Sequence, residues 1–161
     1  DLLRDFVGIN SYTGNRAGVN QLAQLTAERF ASLGFSAEFV PHQNPACGDH
    51  LVLTRQGSSS SSIALISHLD TVFPPEEEER NAFRWQPEGP RIYGPGTIDI
   101  KGGSMMMHLV LSLLAETDPD LARLAMPFLS SSPASVASVM ARYHSIWGSV
   151  SPPSWPAPVS P

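Results

Sequence analysis

Hydrophobic positions recur along the chain first with a helical period and then with a strand-like one. From Asn15 to Leu33 the apolar residues Val19, Leu22, Leu25, Ala27, Phe30 and Leu33 fall two or three apart, which predicts one amphipathic helix. Gly34 supplies the left-handed residue that commonly ends a helix. Phe35 to Val40 then alternates apolar and polar side chains as a half-buried strand does, until Pro41 stops it. Leu51 to Leu53 reads as a second short strand. Gly57 and the serines Ser58 to Ser62 read as a solvated hairpin connection. Ile63 to Ile66 is a continuous apolar run, the pattern of a strand buried on both faces, and it delivers the chain directly to His68 and Asp70. The last strong period joins Met105, Leu109 and Leu113 with Met106, Val110 and Leu114, predicting a well-buried helix over about 102–116.

Composition narrows the class. With 161 residues, 42% of them hydrophobic, and a single Cys, the chain suits one small globular domain and excludes a disulfide scaffold or a wholly disordered polymer. No apolar run approaches the roughly 18 residues of a membrane-spanning helix, so no membrane partner is expected. Ten basic residues, a net charge of -5 and the lack of a basic cluster argue against nucleic acid. The chain begins with Asp1 rather than Met, so a preceding segment is expected and the compartment stays open.

Charge divides the sequence in two. All 15 acidic residues lie at or before Asp120, whereas the remainder holds Arg123 and Arg142 and no acid. Residues 1–120 are therefore expected to form the folded part. Residues 121–161 are expected to be a Ser/Pro-rich tail not native to that fold, since Ser130 to Pro133 and the ending SPPSWPAPVSP suit no helix interior or central strand. Two origins for the tail stay open: a genuine Pro-rich linker, or a chain interrupted or read out of frame.

The candidate chemistry lies in SHLDTVFP at 67–74 and GPGTIDIKGG at 94–103. A His and a carboxylate brought together from two loops at strand ends are typical donors for zinc. Asp70, two residues beyond His68 on an extended segment, would sit behind the site and fix the imidazole. The glycines around Asp99 would let a loop turn tightly and place a ligand accurately. Other readings remain: a structural His at a strand end, or a phosphate cradle at the helix that starts near Lys101 with Ser104 as a further donor. The P-loop and dinucleotide glycine orders are both missing. Glu76 to Glu79 reads as a solvated loop, His42, Cys47 and His50 as too few for a zinc site, and His108 as a partly buried helix residue.

SHLDTVFP, then AFRWQPEG, then YGPGTIDIKGG opening an apolar helix together resemble the paired signatures of the M20 family of zinc-dependent metallopeptidases and deacylases, most closely its glutamate carboxypeptidase branch. The resemblance covers roughly 1–116. It implies an α/β fold with a mixed sheet flanked by helices, the catalytic domain of a zinc exopeptidase in truncated form. By the same resemblance His68 matches a ligand of one zinc, Asp99 the carboxylate bridging two zincs, and Asp70 the aspartate that orients the site. The peptide after Asp99 is expected to be cis. The implied reaction is metal-assisted hydrolysis of an amide bond in a small peptide or N-acyl amino acid, with a glutamate as general base.

That glutamate has no counterpart. The family places an adjacent acidic pair, general base then ligand, some 30 to 40 residues after the bridging aspartate; here 129–139 reads LSSSPASVASV. A further acidic ligand and a distant histidine also lack candidates, His144 lying too early, and the lid domain through which members dimerise is absent from the chain. The expectation is weak or absent zinc binding and no turnover, which leaves two hypotheses: a fragment of a zinc hydrolase, or a non-catalytic homologue that binds a partner.

Overall fold

The computed structural model describes residues 1–55 and 63–120, and the backbone alone of 121–122 and 125–130. In chain order the elements are α1 (Leu2–Val7), α2 (Arg16–Ala31), β1 (Ser36–Val40), β2 (His50–Thr54), β3 (Ile63–His68), α3 (Pro75–Arg80), β4 (Gln86–Glu88), β5 (Arg91–Tyr93), α4 (Lys101–Thr117), α5 (Pro119–Ala122) and β6 (Ala125–Ser130). Four strands form one sheet in the order β1-β2-β6-β3, and β4 pairs with β5 as a separate hairpin. β2 runs antiparallel to both β1 and β6, while β3 and β6 are parallel, so the sheet is mixed as expected.

α2 follows its sequence period. Asn15 caps it by accepting a hydrogen bond from the Gly18 amide at 3.1 Å. Val19, Leu22, Ala23, Ala27 and Phe30 turn inward onto Leu51 and Leu53 of β2. Gly34, at φ +81°, takes the left-handed conformation that stops the helix. Phe30 anchors the core, meeting Phe35 and His108 edge-on at centroid distances of 5.9 and 5.2 Å. Full burial of a side chain of that size contributes about 1.5–3 kcal/mol.

Several expectations need revision. β1 is exposed at four of its five positions instead of alternating, because it is a sheet edge. β3 is not enclosed on both faces: among the described residues it forms the other edge, and Ile63 and Ile66 each remain 42% exposed. α4 forms where the period puts it but is only partly buried, with Met106, Leu109, Val110 and Leu113 exposed. Glu76 to Glu79 lie in the helix α3 rather than a loop, since Pro75 presets the first turn and Glu76, Glu77 and Glu78 favour the positive end of the helix dipole.

The charge boundary at residue 120 does not coincide with the end of the sheet. β6, beyond that boundary, inserts between β2 and β3, and its register sets Ser130 beside His68. The serine connection Ser58 to Ser62 and the Ser/Pro-rich stretch after Ser130, including Arg142, His144, Trp147 and Trp155, lie outside the described residues. Among the described residues no helix is long and apolar enough to cross a membrane.

Candidate metal centre

His68 is the last residue of β3, at the carboxyl end where open α/β sheets present polar groups. The chain beyond it is held by the N-terminal loop. The Thr71 amide donates to the Ser11 carbonyl at 2.8 Å, the Thr13 amide donates to the Thr71 carbonyl at 3.0 Å, and Tyr12 bridges Thr71 in parallel fashion. This short ladder brings Thr13 against Asp70, where its hydroxyl donates to Oδ2 at 2.5 Å. The other carboxylate oxygen, Oδ1, lies 3.0 Å from His68 Nδ1, which is also 3.1 Å from the Asp70 carbonyl. Nδ1 thus faces two acceptors, and Nε2 is turned toward the opposite side, 3.0 Å from Asp99 Oδ1.

Asp99 arrives on a loop shaped by glycine. Gly96 has φ +77°, and its carbonyl accepts from the Lys101 amide at 2.8 Å. A Cβ on Gly102 would collide with the Thr97 carbonyl oxygen, so only glycine lets α4 begin this close to the loop. The Asp99–Ile100 peptide is cis. The two halves of the site differ in access: the Asp70 side chain is 7% exposed and that of His68 16%, but that of Asp99 is 80% exposed.

Electrostatics follow the geometry. Burial pulls the His68 imidazole down, yet the hydrogen bonds and charges of Asp70 and Asp99 outweigh it and hold the group above its ordinary value. An imidazole nitrogen and a carboxylate oxygen facing one another across 3.0 Å are donor types that a single cation can share. Two ligands at zinc distances of 2.0–2.2 Å in a tetrahedron stand roughly 3.4 Å apart, close to the 3.0 Å seen between Nε2 and Oδ1. In kind and direction the donors fit zinc. In number they fall short: catalytic zinc takes three protein ligands, and among the described residues no cluster of three or more His, Cys, Asp or Glu could hold an ion.

Lys101 behaves differently from a phosphate-binding lysine. It is 2% exposed, its stem lies over Gly96, and its ammonium donates to the Ile9 carbonyl at 2.7 Å. Burial lowers it to about 8 against the opposing pull of Glu78. Ser104 is likewise committed inward, sharing a 3.0 Å hydrogen bond with Ser67. The phosphate cradle at the start of α4 therefore loses both of its side-chain donors. Nothing in the sequence singles out Thr13 or the Ser11–Thr13 ladder, because no local pattern links residues 57 positions apart.

Residues 64–129 match Peptidase family M20/M25/M40. Carboxypeptidase G2 of Pseudomonas sp. (strain RS-16) is 31% identical over 114 residues, 71% of this chain and 27% of that protein. Among solved structures, an M20 family metallo-carboxypeptidase from Sulfolobus solfataricus superposes with a TM-score of 0.73 at 16% identity, over 91% of this chain and 34% of the other. Human carnosine dipeptidase 1 gives 0.70 at 14% identity, over 88% and 33%. The chain thus spans about a quarter to a third of the length of these relatives.

Proposed function

We propose, from the match of residues 64–129 to peptidase family M20/M25/M40, that this chain carries part of the metal centre of a zinc-dependent hydrolase of peptides or N-acyl amino acids. The observation that carries the reading is the convergence of His68 Nε2 and Asp99 Oδ1 at 3.0 Å, with Nδ1 of the same ring backed by Asp70. In this reading His68 and Asp99 are metal donors, and Asp70 orients the ring from behind. When bound, zinc supplies Lewis acidity for the hydrolysis of an amide. Asp70 takes the Nδ1 proton into its hydrogen bond and so presents the Nε2 lone pair outward. Asp99, standing in solvent, is open to a second ion or to substrate.

Turnover needs a general base, and the register of β6 supports its absence here. Ser130 pairs with His68 at the carboxyl edge of the sheet and is followed by Ser131 and Ser132, with no Asp or Glu after Asp120. A serine hydroxyl does not collect a proton near neutral pH as a carboxylate does. We therefore infer that this chain binds metal weakly and does not hydrolyse amides unaided. The test is an assay of the 161-residue chain with zinc against a panel of dipeptides and N-acyl amino acids, beside His68→Ala. The expected result is no turnover above the variant; zinc-dependent turnover lost in His68→Ala would overturn the non-catalytic part of the reading.

A further inference from the structure

We propose that Thr13 is a positioning residue for His68, acting through Asp70. Free to rotate, an aspartate side chain two residues beyond a histidine on extended backbone has no reason to keep one oxygen on that ring. Here three constraints remove the freedom. The amide-carbonyl ladder between Ser11–Thr13 and Thr71 fixes where Thr13 stands. The Thr13 hydroxyl donates to Asp70 Oδ2, and burial of Asp70 to 5% exposure keeps water from replacing that donor. With Oδ2 engaged, Oδ1 is left directed at His68 Nδ1 at 3.0 Å. The order Thr13, Asp70, His68 thus runs from a neutral donor through a buried carboxylate to the ring, and each link sets the direction of the next. The Asp70 carbonyl, 3.1 Å from Nδ1, is a second acceptor that Thr13 does not control. Loss of the hydroxyl should therefore loosen the ring rather than release it.

The proposal rests on the metal-donor reading of His68 only for its consequence in zinc affinity, so two measurements separate them. The first needs no metal: proton exchange at His68 Nδ1, followed by NMR on the 15N-histidine-labelled full chain at one fixed pH. Thr13→Val should speed exchange roughly tenfold, and Thr13→Ser should stay within about twofold of the parent. Equal exchange in Thr13→Val and parent would overturn the proposal. If Thr13→Val does not fold, Thr13→Ala is read in the same way. Failure of both to fold while Thr13→Ser folds would assign the hydroxyl to folding and also overturn it. The second measurement is zinc affinity by chelator competition, expected to drop about tenfold in Thr13→Val and to recover in Thr13→Ser. A parent chain with no affinity for zinc would refute the metal-donor reading, while the exchange rates would still decide the role of Thr13.

Discussion

The two long helices invert the usual relation between apolar content and burial. α2 has Arg, Asn, Gln and Glu throughout, yet Val19, Leu22, Ala23, Ala27 and Phe30 are nearly inaccessible and none of its large apolar side chains is exposed. α4 carries an almost unbroken apolar run from Met105 to Leu114, yet Lys101, Ser104 and Leu111 are its only buried residues. α2 has a single seam matched to β1 and β2, whereas α4 is apolar around more of its circumference than the described elements can cover. The inward stripe of α4, with Leu111 and Met107, joins the same core as α2; its outward side holds Met106, Leu109, Val110 and Leu113.

Phe30→Ala should have the largest effect, lowering stability by about 4 kcal/mol in denaturant unfolding, because it empties the space between Phe35 and His108. A loss under about 1 kcal/mol would mean that α2 is not the core helix. Leu111→Ala should cost about 3 kcal/mol, and Leu113→Ala, at 52% exposure, within about 0.5 kcal/mol. Equal losses at the two positions would show that the outer side of α4 is covered in solution.

Lys101→Met tests the polar tie at the start of α4. Removing its hydrogen bond leaves the Ile9 carbonyl without that donor, and the expected loss is about 2 kcal/mol; an unchanged unfolding midpoint would refute the tie. The smallest effect concerns His50, a buried residue of β2 whose ring stacks on His42 at 5.1 Å. Burial first, then His42, lowers it, while Asp49 opposes them. Below an unfolded value of about 6.5 the unfolded chain binds a proton that the folded chain refuses. Stability should thus fall as pH drops through 6.5 and level off beneath the lowered folded value. His50→Gln should flatten that part of the pH profile, and an unchanged slope would assign the dependence elsewhere.

How legible these features were depends on the range of the interactions behind them. The span of α2, its Asn15 start and its Gly34 stop are local, written in spacing and caps, and so are the strand that ends at His68 and the glycine turn before Asp99. The pairing of His68 with Asp99 is not local: no spacing along the chain specifies it, and the fold brings the two side chains to 3.0 Å. Exposure of β1 and β3 was invisible because a strand's place at a sheet edge depends on partners far along the chain. β6 lies past residue 120, where Ser and Pro content argues against strands; its pairing on both sides with β2 and β3 outweighs that weak local propensity.

The proposed metal centre requires that His68 and Asp99 share one cation. Its most direct test is zinc binding to the full chain by calorimetry, comparing the parent with His68→Ala and Asp99→Ala. The expected result is weak binding by the parent, weakened at least tenfold by either substitution. Zinc affinity equal in all three proteins, or none in the parent, would contradict it.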